Sequence, residues 1–304
     1  MTAPQSGIFA EGTAHHYFLE WQLHPGVEDE AIRQQVSAAL EAEDPQADRS
    51  GQHLVVAFGD SVWKRLTPGP APEKLRPFAN ILGMDDTEAP DTQNDVLFWI
   101  HGPKIDENLA RAVQIAQAMS RIADAALDLP AFVFRDSRDL TGFIDGSANP
   151  QGDARQAAAL IPEGEAGAGG TYVMTQRWIH DLRAWNRLSD SEQEAVIGRT
   201  KPDSVEFESH RMPADAHVAR SDVSEDGTPL KIYRRSVPYG TASEHGLLFL
   251  CFACDLHRIE VILHRMLGTS GDGVRDRITD FTRPATGSFW FAPSEAELAG
   301  ALGR

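Results

Sequence analysis

Few side chains in this sequence are spaced to do chemistry, and the most informative is a histidine. His217 lies in the polar stretch RMPADAHVARSDVSEDGTP, and Arg234 follows seventeen residues later in KIYRRSVPYG, which reads as the next strand. A histidine and an arginine delivered by neighbouring segments can line one pocket, where imidazole handles a proton or a metal and guanidinium steadies an anion. Arg234 and Arg235 are consecutive, so on a strand one faces inward and the other outward. The inward guanidinium needs an anionic or polarisable partner. Asp145 stands in GFIDGSANP, residues 142–150, between Gly142 and Gly146. Two glycines, an asparagine and a proline suit any surface turn, which leaves open why an aspartate is held among them.

Other candidate groups fit structural roles. His15 and His16 are adjacent, so on a strand they face opposite ways. His257 and His264 share a helical face, but no acid or second pair completes a metal site. Cys251 and Cys254 are the only cysteines, and their C-x-x-C spacing falls on a strand, where residues three apart diverge. They are expected as core thiols, not a redox pair or a zinc site. The sequence holds no phosphate loop, dinucleotide fingerprint or nucleophile elbow. GAGG at 167–170 leads into a strand, so its amides meet no helix dipole.

The elements that must position these groups follow from hydrophobic period. Strand patterns occupy 16–23, 53–59, 95–102 and 131–136, with amphipathic helices over 27–43 and 105–127. A proline-rich stretch at 66–77 interrupts them. The second part of the chain repeats the theme: a strand and then helices over 170–199, capped at Ser189 or Asp190, strand and helix over 246–267, and a last strand at 287–294. The Gly-rich segment 163–172 lies between the two parts. This order predicts two related α+β halves with antiparallel sheets and helices on one face, the ferredoxin-like arrangement.

A chain of 304 residues, 41% hydrophobic and 24% charged, can bury a sizeable core. A formal charge of −17 argues against nucleic acid and anionic membranes as partners. The N-terminal residues show no basic and apolar leader, and no apolar run is long enough to span a bilayer, so a cytoplasmic location is expected.

Taken together, GFIDGSANP (142–150), HVARSDV (217–223), KIYRRSVPYG (231–240), HGLLFLCFA (245–253) and DFTRPATGSFWFAPS (280–294) resemble the dye-decolorizing peroxidases, heme enzymes built from two ferredoxin-like halves. The resemblance covers essentially the whole chain, and the length without large insertions is similar to the bacterial B-type group. It implies a duplicated, barrel-like dimeric α+β fold with peripheral helices and heme bound mainly by the C-terminal half. Residues 1–150 would form one half, ending in the distal loop, and residues 151–304 the other.

By the same resemblance, one b-type heme is held without covalent attachment, and no C-x-x-C-H is present. His217 matches the proximal ligand of the heme iron, Asp145 the distal aspartate and Arg234 the distal arginine. An acid bonded to the far nitrogen of the ligand histidine would give it imidazolate character. Asp280 is the first expectation for that acid and Asp276 the second, since four residues apart on a helix they share a face. Ser147 is expected at the cofactor with Asp145. Phe249 is expected either as a wall of the pocket or as plain core, and Arg199 either on a heme propionate or in a surface salt bridge. Ser236 stands where B-type members often carry asparagine, and its shorter hydroxyl would hold a water.

The implied activity is reduction of hydrogen peroxide to water through a ferryl intermediate, followed by single-electron oxidation of organic donors such as dyes and phenolics. Asp145 would shuttle the peroxide proton and Arg234 would stabilise the developing charge. Donors too large for a buried heme would be oxidised at the surface through one of the six Trp or four Tyr, among which Trp178, Trp185 and Trp290 cannot be ranked. A heme carrier or iron-releasing protein on the same fold is the alternative, and a cofactor-free structural protein a second. A homo-oligomer is expected. The chain stops at SEAELAGALGR, soon after the last strand, so no encapsulin cargo tail is expected.

Overall fold

The strands and helices read from hydrophobic period form, with one boundary displaced. The protein is described here by a computed structural model covering residues 2–42, 47–67 and 69–304. Glu43, the last residue of the expected helix 27–43, and Pro68 in the proline-rich stretch lie outside the described residues. The principal strands are β1 (His15–Leu23), β2 (His53–Phe58), β3 (Val96–Gly102), β4 (Ala123–Phe132), β5 (Thr171–His180), β6, in two pieces (Tyr233–Arg234 and Val237–Gly240), β7 (His245–Ala253) and β8, also in two pieces (Thr282–Pro284 and Ser288–Ala292). The helices that matter to the site are α1 (Asp29–Glu41), α2 (Ile105–Met119), α3 (Asp190–Ile197), α4 (His217–Ser221) and α5 (Leu256–Met266). Ser189 caps α3 in a reciprocal arrangement with Glu192, satisfying two end amides at once.

The displaced boundary is that of α2. The Ala- and Leu-rich run after it continues a helical pattern to residue 127, yet the helix stops at Met119 and residues 123–132 pair with β1 from Leu23 to His15. Ladder pairing along a whole strand outweighs a helix propensity worth tenths of a kcal/mol per residue. The expected strand at 131–136 is therefore only the end of β4.

Pairing order explains the architecture. The first half runs β4–β1–β3–β2 and the second β8–β5–β7–β6, every pair antiparallel. This is the same order twice, which the ferredoxin-like reading predicts. The two sheets join edge to edge, Phe58 opposite Phe291 on one side and Tyr239 opposite Ala131 on the other, so the strands close into a barrel. Both seams are narrow, and Pro130, which has no N–H to offer a ladder, flanks the second.

Two layers of core follow. Inside the barrel Phe18, Trp99, Tyr233, Phe252 and Trp290 are buried, each ring contributing roughly 1.5–3 kcal/mol against exposure. Outside, Leu19 and Trp21 pack with Ile32 and Val36 of α1 and Ile115 of α2. The outer face of the second half is different. There α5 and α4 stand off β5 and β7, leaving a cleft with about 1460 Å³ unfilled by protein atoms, its open mouth included. Among the described residues no helix is long and apolar enough to cross a membrane.

Candidate active site

Asp145 reaches this cleft because the loop before it is braced. Arg138 donates from Nη1 to the carbonyls of Gly142 at 2.8 Å and Lys201 at 2.7 Å, and pairs with Asp136. Gly142 has φ +94°, a left-handed conformation that strains any residue with a Cβ, and the flexible end of Lys201 lies against it. The Asp145 amide donates to Ser137 O at 2.9 Å, and its Oδ1 accepts the Gly146 amide at 2.7 Å. Burial raises the Asp145 carboxyl above its ordinary value; the Arg234 guanidinium opposes this and the charge of Asp139 adds to it.

Arg234 is fixed through its backbone. Asn149, from the same loop as Asp145, donates from Nδ2 to Arg234 O at 2.8 Å and accepts from Arg234 N at 3.0 Å. The two arginines of β6 divide as the alternation demands. Arg234 lines the cleft, whereas Arg235 enters the barrel, donating to Ile8 O at 3.0 Å and lying 5.0 Å from the Trp99 ring centroid.

His217 is the first residue of α4 and lines the same cleft. Its Nδ1 donates to Asp276 Oδ2 at 2.7 Å, and Asp276 is fully buried. Its Nε2 carries no hydrogen bond among the described residues. The acid on His217 is thus Asp276, and the expectation of Asp280 is corrected. Asp276 caps a 3-10 turn, Arg277–Asp280, which carries Asp280 out to the surface and onto Arg275 at 2.7 Å. The shared helical face behind that expectation does not exist, because no α-helix forms there.

The remaining expected residues separate. Ser147 lines the cleft and meets Ser204 Oγ at 3.1 Å. Phe249 lines it from β7 and also packs against both outer core clusters. Arg199 borders the cleft, but its guanidinium is held by Ser204 O at 2.9 Å and by an ion pair with Glu206, the salt bridge of its two expected roles. Ser236 does not line the cleft. It lies in the gap of β6, where its Oγ accepts the Leu250 amide at 3.3 Å in place of a ladder carbonyl. Cys251 is buried, its thiol pushed up to about 12 by that burial, and both cysteines are free.

Two features escaped sequence reading. Asp139 Oδ1 accepts from His180 Nε2 at 3.0 Å, and His180 Nδ1 meets Thr282 Oγ1 at 2.7 Å, all three lining the cleft. Burial pushes the Asp139 carboxyl up, but His180 and Thr141 outweigh it and hold it below the ordinary value. Gln176 on β5 lines the cleft fully buried, with neither amide atom hydrogen-bonded. Only alternation along β5, which puts Gln176 and His180 on one face, could have flagged these residues.

Two family models together match most of the chain. The Dyp-type peroxidase N-terminal model matches residues 5–126 and the C-terminal model residues 136–297. This chain belongs to the Dyp-type peroxidases. As such it is an enzyme, a peroxidase. A dye-decolorizing peroxidase of Mycobacterium tuberculosis is 37% identical over 245 residues, 79% of this chain and 73% of the relative. A solved dye-decolorizing protein from V. cholerae is 37% identical with a TM-score of 0.87, covering 97% of this chain and 98% of its own. A variant of DypB from Rhodococcus jostii, solved in complex with heme, is 32% identical with a TM-score of 0.90, covering 97% of this peroxidase and 98% of its own chain.

Proposed function

We propose that this B-type peroxidase holds one non-covalent b-type heme in the cleft, reduces hydrogen peroxide to water and oxidises organic donors such as phenols and dyes one electron at a time. One observation carries the reading. A single apolar-walled cleft brings together His217, with Nδ1 engaged and Nε2 free, and the pair Asp145 and Arg234. The residues present fit heme: Leu247, Phe249, Ile259 and Ile262 offer apolar walls for a macrocycle, His217 a nitrogen ligand, and Gln176 an unmatched amide for a polar edge or water.

Heme, when bound, supplies a redox-active iron that takes oxidising equivalents from peroxide and returns them singly. Asp276 keeps the His217 ring oriented with its proton on Nδ1, which leaves Nε2 as the ligand atom. Asp145, as carboxylate, takes the proton from one peroxide oxygen and delivers it to the other, which departs as water. Arg234 stabilises the negative charge that develops on the departing oxygen.

The division into units 1–150 and 151–304 belongs to this reading, with the Asp145 loop closing from the first over the cleft of the second. So does a cytoplasmic location, in keeping with two free thiols, and so does assembly as a homo-oligomer. The carrier alternative is not favoured, since transport has no use for a carboxylate and guanidinium poised in the cleft.

The test is hemin titration of the cofactor-free protein followed by peroxide. The parent should give a Soret band and rapid spectral change with peroxide. His217→Ala should lose the axial-ligand signature, and Asp145→Ala with Arg234→Ala should slow the peroxide step by about 100-fold or more. Variants as fast as the parent would sink the distal roles.

A further inference from the structure

Every Trp and every Tyr is buried, so the surface ring expected to serve large donors is absent, and what the cleft itself can hold becomes the question. Among the described residues that line it, only Gln176 has buried side-chain polar atoms without a partner. Both ends of its amide are unpaired.

Gln176 is wholly buried on β5, on the face that also carries Met174 and Trp178 to the cleft. Its ladder partner on β7 is Phe249. Two residues along, Met174 pairs with Cys251, and Cys251 pairs in turn with Arg234 on β6. Cross-strand partners share a face, so Gln176 and Arg234 rise from the same sheet wall, about 12 Å apart between Cα atoms at ordinary strand spacings. His217 comes from the other wall, on α4, which packs with α5. A macrocycle ligated by His217 therefore has Gln176 on the side of Arg234, where peroxide is handled.

The surroundings of the amide do not suit an ion. Its neighbours on the sheet are Met174, Trp178 and Phe249, and α5 faces them with Ile259, Ile262 and Met266, so a full charge would lose its water with no counter-charge beside it. An apolar ring edge engages neither amide atom, and a carboxylate engages only the NH2. A neutral molecule with both O–H groups and lone pairs engages both, donating to the Gln176 carbonyl and accepting from its NH2. Water and hydrogen peroxide are such molecules. Left unpaired, the buried amide costs stability that an apolar side chain of similar shape would not.

We propose that Gln176 is a substrate-binding residue: its amide holds one neutral molecule on the Arg234 side of the cleft, water at rest and hydrogen peroxide in turnover. The inference rests on the function proposed above, because it takes peroxide as the substrate and His217 as the ligand on the opposite wall. No bond forms or breaks at the amide, and Asp145 still moves the proton.

Gln176→Leu tests the proposal. In the heme-loaded protein at saturating donor, KM for peroxide should rise about tenfold with kcat within about twofold of the parent, the mark of lost binding and intact chemistry. KM for a small phenol, which also carries an O–H and lone pairs, should stay at the parent value. Hemin titration should give the parent's affinity, and the cofactor-free variant should melt no lower than the parent, since it exchanges two unpaired polar atoms for apolar ones. An unchanged KM for peroxide, or a raised KM for the phenol, overturns the assignment. Weakened hemin binding also overturns it, by giving the amide to the macrocycle, as does a melting point lower by several degrees, by revealing a partner within the protein. A parent with no Soret band or no peroxide consumption overturns the function itself.

Discussion

Asn149 clamps the backbone of Arg234 from both sides, its amide donating to the carbonyl at 2.8 Å and its carbonyl accepting the amide at 3.0 Å. The loop that presents Asp145 and the strand that presents Arg234 are therefore one mechanical unit, although 85 residues separate the clamp's ends. Asn149→Ala should lower kcat/KM for peroxide by about tenfold or more, since small misplacements of a positioned group are costly. It should also cost about 1–3 kcal/mol of stability from two orphaned backbone groups. Stopped-flow peroxide kinetics and thermal unfolding of the variant check both.

Asp276 and Asp280 should separate cleanly. Asp276→Ala removes the buried partner of His217 and should weaken heme binding by about 10–100-fold while shifting the iron–histidine stretch. Asp280→Ala breaks an exposed pair with Arg275 and should change stability by less than about 1 kcal/mol. Hemin titration and resonance Raman spectra of both variants decide the matter.

The raised carboxyl of Asp145 has a signed consequence. The proton-transfer role needs the carboxylate, so kcat/KM for peroxide should fall, as pH drops, at a pH above the ordinary aspartate value of about 3.9. Because the folded state binds this proton more tightly than the unfolded chain, Asp145 costs stability that is absent below the ordinary value and complete above the raised one. Cofactor-free Asp145→Asn should accordingly melt no lower than the parent at neutral pH, while its peroxide kinetics lose the acid limb.

Glu20 gives the same sign with no link to catalysis. It is buried in the barrel, where it accepts from Thr175 at 2.7 Å and Asn94 at 2.9 Å, and burial raises its carboxyl despite both bonds. Stability of the parent should decline as pH rises through that raised value. Glu20→Gln should lack the decline, which denaturant unfolding across pH would measure.

Much of this was legible in the sequence because hydrophobic period reports directly on faces. Strands β1 to β3, helix α1 and the repeated halves follow from hydrophobic period, and five dispersed blocks carried the family with His217, Asp145 and Arg234. What failed had tertiary causes. The helix expected to residue 127 yields to pairing with β1 that no local pattern encodes. Asp280 and Asp276 look alike until a 3-10 turn sends one inward and the other out. Ser236 occupies a position that suggests the cleft, but a break in β6 claims its hydroxyl. His180 and Gln176 carry no motif of their own, and Asn149, though inside GFIDGSANP, reads there only as a turn residue; all three become informative only beside their partners.

The two narrow seams of the barrel bear on how the molecule comes apart. Each half caps both open edges of the other, so separating them bares four strand edges at once, each a template for pairing with another chain. Folding of either half alone is thus an aggregation hazard that closure removes, and the duplication protects itself by solving in one joint what each copy would face separately.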